Sequence, residues 1–434
     1  MFRTFIDALK NKDIRKKILI TLGLLLIFRL GCWIPVPGLN LTYFADQVGK
    51  DNATFLQLLS GISGGALSNG AILALGVSPY ISASIIVQLL TLAIPPLERL
   101  SKQGEEGRKK LASVTKWVTL FLGLAQAIGI VVAFGGDALT SVFGSAPIWL
   151  TGACVVIILT AGSMFTYWLG EKITEIGVAN GVSLLIFVGI LSTAATALLN
   201  SFTYIFSSAD HIDELWQVII FLAVLIVIFA LIVMMDGAER KVKVQYAKQI
   251  KGRKMYGGQS TYIPVKLMGT GVMPIIFAMS FLSFPQIILS IFAPTSKAME
   301  WYSKYLGAGS WAYSVVVGLL ILFFAYFYAQ LSFNPEDVSK QIQSNGGFIP
   351  GTRPGKPTAD YLKKISNRIT LFGAIFLAFI AIVPTLVFKA IASGVGLVNA
   401  FSATGMIIVV GVALEVNKQL EQLLMLKNYR GFLK

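Results

Sequence analysis

The stretch Phe55–Leu90, FLQLLSGISGGALSNGAILALGVSPYISASIIVQLL, joins two segments of different character. From about Ala71 it is long and apolar enough to cross a bilayer, whose hydrocarbon core takes roughly 20 apolar residues in a helix. The part before it crowds Ser60, Gly61, Ser63, Gly64, Gly65, Ser68 and Asn69 together. A short, glycine-loosened, half-apolar segment is not needed to complete the span beside it. Its meaning depends on what surrounds it.

The surroundings are apolar almost throughout. Of the 434 residues, 55% are hydrophobic and 13% charged, where a soluble domain carries about a quarter charged; the mean hydropathy is +0.74. Ten apolar runs lie near 18–34, 71–97, 117–134, 148–169, 182–206, 215–235, 267–294, 305–333, 369–388 and 397–414. Nine contain no charge, and the first holds only Arg29. All seven tryptophans (Trp33, Trp117, Trp149, Trp168, Trp216, Trp301 and Trp311) fall at or just beyond the ends of runs, as interfacial aromatic rings do. The chain reads as an all-α, polytopic membrane protein of ten transmembrane helices.

The basic residues orient it. With the N-terminus in the cytoplasm, the inside segments 1–17, 95–116, 170–181, 236–266, 334–368 and 415–434 hold 31 of the 36 lysines and arginines. The positive-inside rule then places both termini on the cytoplasmic side, and the net charge of +15 belongs to one face. The run after DIRKK continues into GCWIPVPG with no small-residue cleavage site, so it reads as a retained first span. Cys32 and Cys154 fall inside runs, and His211 is the only histidine. Neither a disulfide framework nor a metal site is expected.

Ten runs divide into five and five. An N-terminal half, 1–205, and a C-terminal half, 206–434, would meet at an outside loop around Ser201–Glu214, and an odd number of spans in each inverts one half against the other. Two inside loops, 236–266 and 334–368, are far longer than joining neighbours requires. In the first, Lys241–Gln249 alternates in a way compatible with a short β-hairpin arm, or with a helix. The second is shaped by glycine and proline around Arg353.

Equally informative is what the spans lack. An ion-coupled transporter needs ionisable groups at membrane depth, yet Glu171, Glu175, Asp236, Glu239 and Glu415 sit at span ends. That disfavours the runner-up reading, a secondary transporter or lipid-linked flippase on inverted repeats. Arg29 reads as an anchor between helices or a snorkelling side chain. With no catalytic constellation in the sequence, a membrane enzyme is disfavoured too. No cofactor is expected.

The segments FRLGCWIPVPG (Phe28–Gly38), SGGALSNGAILALGVSPYISASIIVQLL (Ser63–Leu90), GEEGRKKL (Gly104–Leu111), WLGEKITEIGVANGVS (Trp168–Ser183), GVMPIIFA (Gly271–Ala278) and FNPEDVSKQIQSNGGFIPGTRPGKPTADYL (Phe333–Leu362) carry a resemblance. In collinear order over essentially the full chain, they resemble the bacterial SecY family, the central subunits of protein-conducting channels. The resemblance implies two inverted five-helix halves around an hourglass pore in the bacterial cytoplasmic membrane. Secretory polypeptides would cross it and transmembrane segments would leave it sideways into lipid.

Residue by residue, the resemblance implies a pore ring of Val77, Ile81, Ile186, Ile276 and Ile408, with Val77 standing where many members have isoleucine. It implies a plug over about 55–69, including Phe55, Leu58, Leu59, Ile62, Gly64, Gly65 and Leu67. Glycines there would lower the cost of displacement, since each costs about 1 kcal/mol against alanine in a helix. A lateral gate is implied between the second and seventh spans at Pro79, Ser84, Gln88, Pro274 and Phe277, the two prolines interrupting their helices. Docking of a SecA ATPase or the ribosome falls to Arg240, Lys241, Lys251, Arg253, Arg353 and Lys356. The implied partners are SecE-like and SecG-like subunits, polypeptides bearing signal sequences, membrane lipid and a second copy of the chain.

Overall fold

The computed structural model describes residues 2–40, 60–61, 63–134, 139, 147–207, 215–246, 249–251, 254–256, 260–269, 271, 273–292, 296–307, 310–391 and 403–432. The chain is mostly helical. A short helix α1 (Phe2–Lys10) ends one residue before α2 (Lys12–Gly31), where the Asn11 side chain caps α2 by accepting from the Asp13 amide at 3.2 Å. There follow α3 (Ser78–Ala93), α4 (Pro95–Lys102), α5 (Glu105–Phe134), α6 (Ile148–Ile176), α7 (Gly181–Ser207) and α8 (Leu215–Asp236). Strands β1 (Glu239–Tyr246), β2 (Gln249–Lys251), β3 (Lys254–Tyr256) and β4 (Ser260–Lys266) come next. Then come α9 (Met273–Phe292), α10 (Lys297–Leu306), α11 (Trp311–Ser332), α12 (Pro335–Ser344), β5 (Gly347–Phe348), α13 (Lys356–Ile391) and α14 (Ala403–Phe432).

Each of the ten apolar runs overlaps a helix of this series. Among the described residues, six helices are long and apolar enough to cross a membrane unaided, and a seventh joins them if α3 and α4 are one broken span. The count of ten therefore stays with the sequence runs. Large apolar side chains remain exposed along these helices, among them Leu22, Phe121, Ile157, Val227, Leu319 and Phe372, and all seven tryptophans are exposed. For a chain bathed in lipid that surface is already in its solvent.

The second run departs from expectation at both ends. Its first helix starts only at Ser78 and ends at Ala93: residues 72–77 form turns, and at Ile94 the chain bends by 105° into α4, which takes the last residues of the run. Proline explains both boundaries. Pro79 sits in the first turn of α3 and Pro95 opens α4, where a missing backbone donor costs nothing. Pro274 likewise lies in the first turn of α9; the proline inside that helix is Pro285. Pro79 and Pro274 therefore start their helices, correcting the expectation that they interrupt them.

The two long inside loops fold together. In β1 Val242 and Val244 alternate inward, the period that half-buries a strand. β1 pairs antiparallel with β4, Val242 opposite Ile263, and β5 from the other loop adds to its far side at Gln245 and Tyr246. The β-hairpin alternative for Lys241–Gln249 holds: Lys241–Tyr246 lies in β1, paired antiparallel with β4, and Gln249 opens β2, which pairs antiparallel with β3, Gln249 opposite Tyr256. Val242, Val244, Val265, Ile342, Ile349, Leu362 and Ile365 pack as one buried cluster under the sheet. α12 is set by its ends: Asn334 caps the Glu336 amide at 3.1 Å, Pro335 fills the first position, and Glu336 and Asp337 face the positive helix terminus.

Candidate pore and gate

Five aliphatic side chains from four helical elements come together near the centre. Val77, at the cap of α3, Ile186 of α7 and Ile408 of α14 are buried in one apolar cluster, and Ile81 of α3 and Ile276 of α9 pack against it. The same cluster holds Ala66 from the glycine-rich stretch, Ala71 and Leu73 just after it, Phe28 and Cys32 from the end of α2, and Leu185 and Ile190 of α7. Side chains of this kind are branched and apolar and offer no durable hydrogen bond to a polar group beside them.

The glycine-rich stretch lies directly against this cluster. Ser60, Gly61 and Ser63 are helical, and the helix gives way to turns at Gly64. Leu67 is fully buried. Phe55, Leu58, Leu59 and Ile62 lie outside the described residues. Gly64 and Gly65 have φ of 72° and 82°, the left-handed region that glycine enters without penalty. A side chain at Gly64 would also stand 2.5 Å from Arg29 Nη1 and 2.9 Å from the Gly189 backbone. Gly64 is therefore a close-approach residue as well as a weak helix former.

Arg29 fixes that approach. Its Nη1 donates to the Gly64 carbonyl at 3.1 Å and its Nη2 to Ser192 Oγ of α7 at 2.5 Å. One guanidinium thus ties α2, the glycine turn and α7 together, using the forked donor geometry that only arginine has. Cys32 Sγ lies 3.7 Å from the Ser63 carbonyl beside it.

On the other side of the centre, α3 faces α9 and α11. Tyr328 of α11 donates to Gln88 Oε1 at 2.5 Å, and its ring stands edge-on to Phe277 of α9, centroids 4.6 Å apart. Phe277 is buried; Ser84 and Gln88 are half-buried. In the loop unit, Arg240, Lys241, Arg353 and Lys356 are exposed, and Lys241 stands 3.6 Å from Glu239. The Arg353 carbonyl accepts from Thr358 Oγ1 at 2.8 Å, and Ser339 Oγ donates to the Gly355 carbonyl at 2.7 Å, which pins the turn carrying Arg353. The Lys251 side chain and Arg253 lie outside the described residues.

A family model for SecY matches residues 71–417. The chain belongs to the SecY family. It is 40% identical over 444 residues to the protein translocase subunit SecY of Streptomyces scabiei, and 41% identical over 448 residues to that of Bacillus licheniformis, each match covering both chains completely. Among solved structures it resembles "The structure of a protein conducting channel", with a TM-score of 0.63, 18% identity, and coverage of 94% of this chain and 91% of that one. A structure described as "The plug domain of the SecY protein stablizes the closed state of the translocation channel and maintains a membrane seal" matches with a TM-score of 0.61, 18% identity and the same coverage. Sec61 in the canine ribosome-channel complex matches with a TM-score of 0.58, 17% identity and the same coverage. At these identities the structural likenesses speak for the SecY fold alone.

Against that fold, two participants were not singled out in the sequence. Tyr328 lies in FFAYFYAQ among other aromatics, and Ser192 in LSTAATALL among other small residues. A phenol or hydroxyl inside an otherwise apolar span was the available signal, but many spans carry one.

Proposed function

We propose that this SecY family member is a gated protein-conducting channel. It passes unfolded secretory polypeptides across the bacterial cytoplasmic membrane and releases transmembrane segments laterally into lipid. The observation that carries this is the convergence of Val77, Ile81, Ile186, Ile276 and Ile408 in one apolar cluster with the glycine-rich stretch packed against it. The five serve as the pore ring, the stretch around 55–69 as the plug, and the α3–α9 seam with Gln88 and Phe277 as the lateral gate. Opening parts α3 from α9 and lifts the plug from α7.

The two halves, 1–205 and 206–434, move against each other, with both termini in the cytoplasm. The channel makes and breaks no bonds itself: a SecA ATPase or an elongating ribosome supplies the drive. Docking uses the loop unit, whose Arg240, Lys241, Arg353 and Lys356 are exposed and suited to phosphate or acidic partners. The ribosome-bound setting of the Sec61 structure favours the ribosome as one of them. SecE-like and SecG-like subunits complete the complex, and a second copy of the chain is a further partner.

The test is crosslinking in membranes to a secretory chain stalled in transit. Single cysteines stand at Ile81, Ile186 and Ile408 on a cysteine-free background, with Val227, exposed on α8, as control. Signal-sequence-dependent crosslinks at the three ring positions and none at Val227 are expected. Their absence, with confirmed insertion and active SecA, overturns the channel reading.

A further inference from the structure

Helix α1 has an apolar stripe that none of the described residues covers. Phe5, Ile6 and Leu9 are all exposed, although α1 packs on α14. The contact with α14 uses another side of the helix: Ala8 is fully buried in a cluster with Ile14, Ile18, Val178 and Leu420, and Thr4 Oγ1 donates to Glu421 at 3.3 Å. At 100° per residue, Thr4 and Ala8 lie roughly a third of a turn from the stripe centred on Phe5 and Leu9. The remaining side carries Asp7 and Lys10, exposed and 3.5 Å apart. α1 thus has three faces, one on α14, one polar and one apolar and exposed among the described residues.

Two observations say what covers the apolar face. The first is continuity: beyond the break at Asn11 the exposed side of α2 is Leu19, Leu22, Leu26 and Leu30, a lipid-facing stripe on a membrane span. The second is charge. Lys10, Lys12, Arg15 and Lys16 are exposed at the junction of the two helices, where basic side chains outnumber the acids Asp7 and Asp13 of the same segment and Glu421 of α14, which accepts from Thr4. A short helix with a strong apolar stripe, bordered by lysines and placed just outside a span, partitions into the headgroup layer with its stripe inward. Basic residues there are drawn to anionic lipid.

We propose that α1 is a membrane-surface helix. Phe5, Ile6 and Leu9 enter the headgroup layer of an anionic leaflet while Lys10, Lys12 and Lys16 meet lipid phosphates. Because Thr4 and Ala8 hold α14 at the same time, the helix couples the first span and the last helix to that leaflet.

The test uses the full chain with Cys32 and Cys154 replaced, reconstituted in nanodiscs. An environment-sensitive fluorophore is placed on Leu9→Cys, or on Asp7→Cys as the polar-face control, and only variants that unfold at the temperature of the parent are compared. In phosphatidylcholine mixed with phosphatidylglycerol, the Leu9 probe should emit to the blue, be quenched by a lipid-borne shallow quencher, and resist aqueous iodide severalfold better than the Asp7 probe. Equal iodide access at the two sites overturns the proposal. Protection of Leu9 that arises only on adding a protein partner overturns it in favour of a protein occupant. Replacing Lys10, Lys12 and Lys16 by Gln should abolish the preference for phosphatidylglycerol; the same depth with and without the anionic lipid in the parent overturns the assignment to an anionic leaflet.

Discussion

Tyr328 on α11 and Gln88 on α3 share a hydrogen bond of 2.5 Å that crosses the seam between the two halves of the chain. The phenol of Tyr328 also braces Phe277 of α9 edge-on, so one side chain touches both walls of the proposed gate. Such a bond contributes about 1 kcal/mol net, roughly a fivefold bias toward the closed arrangement. Tyr328→Phe keeps the ring contact and removes the bond. It should let a secretory substrate with a weakened signal sequence pass several times faster in reconstituted vesicles, with unchanged passage of a normal one. Gln88→Leu should do the same, and the double variant should add nothing further, because both changes delete one interaction.

Arg29 holds the glycine turn to α7 through two different acceptors, the Gly64 carbonyl and Ser192 Oγ. Arg29→Lys preserves the charge but cannot reach both acceptors with a fork. The seal should weaken, seen as a raised ion conductance of membranes holding the idle protein. Arg29→Ala should raise it more, and Ser192→Ala less than either.

Gly64→Ala tests the same seal from the other partner. The left-handed φ alone costs alanine about 1–2 kcal/mol, and the added carbon also meets Arg29 and the Gly189 backbone. At Gly65 the φ is similar, but the nearest atom to an added carbon is Thr193 Cγ2 at 3.9 Å. Idle conductance should therefore rise more for Gly64→Ala than for Gly65→Ala. Equal effects would mean that backbone conformation, and not the close approach, sets the seal.

Pro79→Ala should leave stability and gating nearly unchanged, because Pro79 occupies the first turn of α3, where no amide partner is needed. Pro285→Ala, inside α9, should restore a ladder bond and straighten that helix. A spin-label distance across α9 would report this as a lengthened end-to-end separation.

These prolines also mark where sequence reading stopped. Hydropathy located the ten runs because lipid exposure and burial demand the same apolar side chains, as exposed Leu22 and buried Leu25 in one helix illustrate. For the same reason hydropathy was blind to where a helix begins inside a run: residues 72–77 are as apolar as 78–93 yet form turns. The ring positions came from resemblance, since a pore-facing isoleucine and a packed one are the same residue. Arg29 stood out as the one charge in a run, but its acceptors, a backbone carbonyl and a serine far along the chain, leave no pattern in sequence. The strand in the first inside loop was half legible, because Val242 and Val244 alternate with charges, whereas β5 of the second loop is two residues long and has no periodicity to read.

That shared sheet gives a last prediction, which separates folding of the loop unit from docking on it. Val244 is fully buried beneath β1, in contact with side chains from both long loops. Val244→Asp places an unpaired carboxylate there at a cost of at least ~3 kcal/mol, enough to unfold a small unit while the apolar helices stay assembled in lipid. Arg353 instead lies exposed on a turn pinned by Thr358 and Ser339, so Arg353→Ala should leave the unit folded. Protease protection of residues 236–266 should then be lost in Val244→Asp and kept in Arg353→Ala, while both bind ribosomes more weakly. If Arg353 meets RNA phosphate, its loss should also reduce the slope of log affinity against log salt by roughly one. Unchanged affinity and slope in Arg353→Ala would move the docking contact to Arg240 and Lys241 on the other loop.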